Sequence, residues 1–578
     1  MKRKFITILS VAVFSICIVG MAIFGISIAN SIASNARNFT DLNERQVVPY
    51  ATNWTDPGIR ATNWVTGRGT YDDPFIILTP AHMGLMGYTV DSNLQFGWGV
   101  FARNAYYVIA ADIDLSGRNW PLPAGEFRGN ITAINGSAIN NLHQVTDGDG
   151  GLFAATGAGV EFRDLTFNNA TIIATRNDQV DAGLLAASHN AGTLTIDNIV
   201  ITNSEIYRHI PPPPDSRSSN IGGLIGQIAS TSAAVEITNV TVDMTLDVRA
   251  MFNSNVTGGL IGRVANHNNS FLIYNATVDV DIYIGGNVGG GLIGSLVSTG
   301  TSSSNTIQDS YFNGTITVFN INNSANMARM GGFVGLFDGN GNNAYLHIDN
   351  SEMAGYVNAG VGGALEVGGF VGSMDGPGQN RKLVVTNSNI IGIVRGGAGA
   401  SGVGGVLGHV RAGGNIGINI EIENVDMTGS VIRAAGAIPA TGTGGLIGTI
   451  IRNNTNLTIR NILIDGVVSA GAGSTGGLVG LLSPAQNNAI SGNIIIEDIE
   501  ISSDTEILVN SIHGLTDGAA GYPVGGFIGL VRGDNIDMVV NRIDMQATIS
   551  GRNAQNNLFG AIRGGGLFGA IRASNSDF

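Results

Sequence analysis

Gly222-Gly223-Leu224-Ile225-Gly226 returns as Gly258-Gly259-Leu260-Ile261-Gly262 and again as Gly290-Gly291-Leu292-Ile293-Gly294. The pattern Gly-Gly-apolar-apolar-Gly begins at Gly222, Gly258, Gly290, Gly331, Gly368, Gly404, Gly444, Gly476, Gly525 and Gly565. The steps are 36, 32, 41, 37, 36, 40, 32, 49 and 40 residues, a period typical of stacked repeat architectures. Two weaker copies precede them, Gly150-Gly151-Leu152-Phe153-Ala154 and Ala182-Gly183-Leu184-Leu185-Ala186. One such pentapeptide would carry no information, whereas ten in register define the architecture.

A second element follows each first Gly by 14 to 22 residues and reads apolar-x-Asn/Asp. Examples are Ile237-Thr238-Asn239-Val240, Ile273-Tyr274-Asn275-Ala276, Ile422-Glu423-Asn424-Val425 and Ile459-Arg460-Asn461-Ile462, with Asp at Asp164, Asp309 and Asp498. Apolar residues alternate on both sides of the Asn but slip phase across it. Such a slip would turn side chains to the wrong face of a straight strand. A corner at the Asn removes the conflict, because Asn tolerates the left-handed conformation. Period-2 alternation, glycine and β-branched residues with almost no helical pattern read as an all-β chain, a parallel β-solenoid. Twelve copies predict about twelve coils and, at ~4.8 Å per stacked strand, a rod of about 58 Å with the Asn side chains in ladders. The competing reading is an antiparallel sandwich array, which would not require equivalent residues to superpose.

Counting the first Gly as position zero, positions two, three and six are apolar in all ten full copies. Positions two and six should share a face. The Gly at position four either lets neighbouring backbone approach or kinks the strand. Position three would then either be turned inward by that kink or form an exposed apolar stripe, and large exposed stripes are unusual.

Residues 1–36 read as a signal peptide or a membrane anchor. Lys2, Arg3 and Lys4 precede an uncharged run from Phe5 to Ala29, long enough to span a bilayer. Small residues in Ser27-Ile28-Ala29, Ser31-Ile32-Ala33 and Ser34-Asn35-Ala36 would suit signal cleavage. Either reading places the body outside the cytoplasm, extracellular or at the cell surface. Residues 37–68 read as a polar linker. Residues 69–149 read as an N-terminal cap with first strands, in which Thr79-Pro80 starts a short helix through Met83, Met86 and Val90, weakened by Gly84 and Gly87. Residues 150–578 hold the repeats.

Composition narrows the function. Charged residues are 12% and apolar residues 43%, which excludes a disordered tail. A formal charge of -14 argues against nucleic acid. A single cysteine, Cys17, excludes an internal disulfide or a cysteine zinc site.

With these motifs in view, the chain resembles the GLUG-motif repeat proteins of bacterial surfaces. Residues 69–142 also resemble the segment that often precedes such repeats, through Asp73-Pro74-Phe75, Asp112-Ile113-Asp114-Leu115-Ser116, Trp120-Pro121 and Ile139-Asn140-Asn141-Leu142. The resemblance implies an envelope location and a β-helical scaffold without one activity. Some immunoglobulin A metallopeptidases carry the repeat beside a zinc domain. That domain needs His-Glu-x-x-His, and none of the eight His here is followed by Glu, so its activity does not carry over.

Candidate chemistry is sparse. His82, His143, His189, His209, His267, His347, His409 and His513 show no metal-ligand spacing and read as surface or loop residues. Asp112 and Asp114 could share a strand face, as a carboxylate pair for glycoside hydrolysis or calcium, although the resemblance makes them a cap feature. Asp147-Gly148-Asp149 reads as a turn. Asp338-x-Asn340-x-Asn342 with Asp349 is a poor calcium loop, having Asn343 where Gly belongs. Pro211–Pro214 reads as a solvated polyproline insertion. The expectation is a non-catalytic exported rod, adhesin-like or an envelope scaffold, with no cofactor or metal. Its partners would be a host or envelope glycan or protein, its only membrane contact the N-terminal helix, and end-to-end self-association a further expectation. The alternative is a polysaccharide-active β-helix or a carbohydrate-binding surface protein. A lyase would need Arg as base, because Lys382 is the only lysine beyond residue 4.

Overall fold

The computed structural model describes residues 50–572 except 176–178, 209–218, 230–232, 250–254, 286, 300–303, 320–327, 361–364, 398, 412–416, 436–441, 472, 484–491, 512–522, 534–535 and 554–562. The N-terminal signal or anchor and the Pro211–Pro214 insertion lie outside the described residues. Among the described residues no helix is long and apolar enough to cross a membrane.

The body is a parallel β-solenoid, about 3% helical. One turn shows the plan. Asn220–Gly222 is a short strand, Ile225–Ile228 a second, and Val235–Val248 a long third. Each pairs in parallel with its equivalent one repeat on: Gly222 with Gly258, Ile228 with Val264, and Val235 through Val248 with Phe271 through Ile284. The pairings build a ladder of 11 strands, a second of 13, and a broad sheet of 26 strand segments. Closed turns number about nine, not the expected twelve. The motif marks a single corner, whereas a closed turn needs a strand on all three faces: Gly150 has only an isolated bridge in place of a first-ladder strand, and no described strand of the broad sheet follows Gly565. The second weak copy also sits one residue later than its sequence alignment, since Ala186 pairs with Ile225 and Gly183 therefore takes the place of the first Gly.

The repeated glycines make the sharpest corner. The chain reverses at positions one and two, between the first and second ladders, and not at position four. At that corner Leu224 N donates to Leu260 O at 2.9 Å and Ile225 N to the same oxygen at 3.1 Å, so the bend is itself paired from coil to coil. Position three is buried, as at Ile225, Ile261, Ile293 and Val334, together with positions two and six. Position four faces the backbone of the first ladder. A Cβ on Gly262 would lie 2.6 Å from Ile221 N and 2.5 Å from Gly226 O. The two ladders thus pack backbone to backbone, closer than any side chain would allow.

The left-handed corner recurs along the broad sheet, on Asn or Asp at all but its last position. Asp164, Asn198, Asn239, Asn275, Asp309, Asn350, Asn387, Asn424, Asn461, Asp498 and Arg542 all have φ between 44° and 56° and follow one another in register. The bend lets apolar residues on both sides point inward, so Val235, Ile237, Val240 and Val242 all join one continuous core.

The cap blocks the N-terminal end. Helix α1 (Pro80–Asp91) starts at Thr79, whose Oγ1 accepts from His82 N, and Met83, Met86 and Val90 are buried. Its glycines mark close approach: a Cβ on Gly84 would collide with the Trp54 carbonyl, and one on Gly87 would touch Trp120 at 3.1 Å. Residues 50–68, expected as linker, pack here. Trp54 Nε1 donates to Leu115 O at 3.0 Å, and Trp64 stacks on Phe75 with ring centroids 4.5 Å apart. Apolar surface on these two indoles draws the segment onto the cap.

Candidate functional site

The sequence candidates are held by structural partners. Asp112 Oδ1 accepts from Ala138 N at 3.0 Å. Asp114 Oδ1 accepts from Ser116 N at 3.0 Å and Asn141 Nδ2 at 2.9 Å, and these bonds, the Asn141 amide first, lower its pKa. Both carboxylates therefore fasten the cap to the next coil. Asp147 and Gly148 form a bend, and Asp149 Oδ1 accepts from Asp181 N at 2.9 Å. The calcium-like loop is stitched onward instead of closing: Asn342 Oδ1 accepts from Gln379 N, and Asp349 Oδ1 accepts from Thr386 Oγ1 and Asn387 Nδ2 at 2.6 and 2.9 Å. Among the described residues no three His, Cys, Asp or Glu side chains converge as a metal site. The histidines differ from expectation. His82 is buried on α1 beside Trp64, and His189, His267 and His409 are buried on strands of the second ladder. His209 and His513 lie outside the described residues.

Two arrangements escaped the sequence. The first is an ion network between the two ladders. Glu366 is fully buried; its carboxylate meets His409 Nδ1 at 2.8 Å, Arg329 Nε at 3.3 Å and Arg411 Nε at 3.3 Å. Asp375 accepts a further pair, Arg329 Nη2 at 3.2 Å. Burial pushes the Glu366 carboxyl up, but the fields of His409 and Arg329 outweigh it and hold the pKa at about 2. Nearby, Arg381 is buried, and desolvation with the field of Arg452 lowers its guanidinium to about 10. Glu366 and Arg329 lie two residues before the first Gly of their repeats, and His409, Asp375 and Arg411 five to seven after it. Aligning those columns for copies that alone carry charge would have found them.

The second is a groove of about 450 Å³ on the outside of the broad sheet. One wall is the corner column, Asn424, Asn461 and Asp498, and the other is Asp426, Leu463 and Glu500, which pair in register. Arg542 closes one end, its Nη2 donating to Asp498 Oδ2 at 2.7 Å. The positive-φ corner makes the groove by turning the strand outward on either side. Along the wall, Asn461 Nδ2 donates to Asn424 Oδ1 at 2.7 Å, and Asn424 Nδ2 to Asn387 Oδ1 at 2.9 Å. Every such amide donates toward the N-terminal coil. The arrangement offers hydrogen-bond donors and acceptors in a row, with carboxylates opposite.

No family model matches the chain, and no curated protein matches it. A crystal structure from Bacteroides ovatus, named "putative immunoglobulin A1 protease", aligns at 15% identity over 73% of this chain and 80% of that one, with a TM-score of 0.26. A likeness at that level carries no argument about activity.

Proposed function

We propose that this chain is a non-catalytic exported surface protein whose solenoid serves as an adhesin-like or envelope-scaffold rod. The observation that carries this reading is the corner column. The same left-handed corner recurs at eleven successive positions of the broad sheet from Asp164 to Arg542, a uniformity that favours a scaffold. The basic start and long apolar run of residues 1–29 supply the export signal or anchor. Host or envelope glycans or proteins are the partners such a rod would meet. Cell fractionation with protease shaving of intact cells tests the location, and the mass of the mature chain decides between cleavage and retention. A chain found soluble in the cytoplasm would overturn the reading.

A second reading, a polysaccharide-active β-helix, is favoured by one observation: Asp426, Asp498 and Glu500 line a groove across adjacent coils. Release of reducing ends or unsaturated products from a polysaccharide panel would support it. Loss of that release in Glu500→Gln would assign it to the groove.

A further inference from the structure

We propose that the groove beside the Asn column is a binding site for an extended, uncharged hexopyranose chain lying along the solenoid axis. The proposal rests on the reading of the chain as a non-catalytic rod and names its ligand class. Asn424 uses one N–H on Asn387 and one oxygen lone pair on Asn461 and keeps one of each for a ligand, whereas Asn461 spends one N–H on Asn424 and keeps its oxygen, because the next corner residue, Asp498, offers no proton. Coils repeat at ~4.8 Å, so Asn424 and Asn461 present donor–acceptor pairs at that interval along the axis. A sugar chain carries ring hydroxyls at a comparable interval, and each hydroxyl both donates and accepts. The opposite wall has the complementary character. Leu463 sits between Asp426 and Glu500 in register, an apolar platform for a C–H ring face flanked by two carboxylate acceptors for hydroxyls.

Charge sets the ligand class. Three carboxylates, Asp426, Asp498 and Glu500, face one guanidinium, Arg542, which is already paired to Asp498. The groove is therefore net negative in a chain of formal charge -14, so a polyuronate would be repelled. Position along the solenoid also matters. Two and three coils before Leu463 the same column is committed to itself, Asn389 Nδ2 donating to Glu352 Oε2 at 3.2 Å. The carboxylate wall opens where Leu463 interrupts it.

The test is calorimetric titration of the purified full chain with cellohexaose, chitohexaose and hexagalacturonate, each followed by mass spectrometry of the sugar. Binding of one or both neutral hexamers, with hexagalacturonate at least about tenfold weaker, is the expected result. Leu463→Arg, which fills the groove, and Asn461→Ala, which removes a ladder amide, should each weaken binding about tenfold or more while the melting curve stays cooperative. Absence of binding by both neutral hexamers at millimolar concentration overturns the site, as does unchanged binding in both variants or preference for the polyuronate. Shortened sugar after titration would keep the groove but overturn the non-catalytic reading. A chain on the cell surface that binds neither hexamer would leave the rod reading standing and remove the groove.

Discussion

Glu366 and Asp181 occupy the same column of the first ladder, two residues before the first glycine of their repeats, yet their carboxyls shift in opposite directions. Glu366 is held down to about 2 in the fold against 4.5 ordinarily. Its stabilising contribution is complete above pH 4.5 and is lost as pH falls toward 2. Urea midpoints of the parent should therefore drop steeply over that window. Glu366→Gln should be less stable at pH 7 by about 3 kcal/mol and should show a flatter acid slope, since it removes the buried carboxylate that His409, Arg329 and Arg411 share. Asp181 is pushed up to about 6, first by burial and then by Asp149, against the favourable amide of Asn220. Its charged form costs stability above pH 6, and that cost disappears as pH falls toward 3.8. Asp181→Asn should raise the melting temperature at pH 7.5 and change little at pH 3.5. An unchanged Tm at pH 7.5 would show that the carboxylate is hydrated in solution. At position four, a Cβ on Gly448 would lie 2.5 Å from Gly408 O and 2.8 Å from Val403 C. Gly448→Val should cost at least the about 1–3 kcal/mol typical of overpacking, because backbone on both sides cannot yield. A variant that melts with the parent would misplace that glycine.

Elements were legible to the extent that every copy repeats the same residue for the same reason. The left-handed corner takes Asn or Asp at every position from Asp164 to Asp498, with Arg542 after them, so it stands out in the sequence. The Gly-Gly corner and the Gly at position four recur for equally general reasons, although sequence alone could not say which of them bends and which admits backbone. The polar columns were illegible because their content changes from turn to turn: Asn220, Val256, Val288, Arg329 and Glu366 succeed one another in one column. Only register shows that Glu366 and His409 meet. Residues 50–68 misled for a different reason, since their polar composition hid two tryptophans that dock on the cap. The corner column makes a sharp prediction. At Asn424, with φ 55°, Gly should keep the bend and lose about 1–3 kcal/mol of side-chain hydrogen bonding, whereas Val should lose more by adding backbone strain. Equal melting temperatures for Asn424→Gly and Asn424→Val would remove the conformational role. In α1, Gly84→Ala gains helix propensity of about 1 kcal/mol but drives a methyl into the Trp54 carbonyl, so the net change should be destabilising.

For the molecule as a whole, the parallel ladders predict far-ultraviolet circular dichroism dominated by strand, with helix far below the usual third. A helical spectrum would refute the fold. The direction of the inter-coil hydrogen bonds has a mechanical consequence. They run along the axis, so a pull that separates the two ends loads them in tension and opens one edge coil at a time. Each rupture releases one repeat, 32 to 49 residues. Stretched to ~3.5 Å per residue, that is roughly 110–170 Å of slack per event. Under single-molecule extension the solenoid should pay out in a sawtooth of small, similar steps. A rod built this way would damp a sudden load by unwinding and recover by rewinding on the coils still in place.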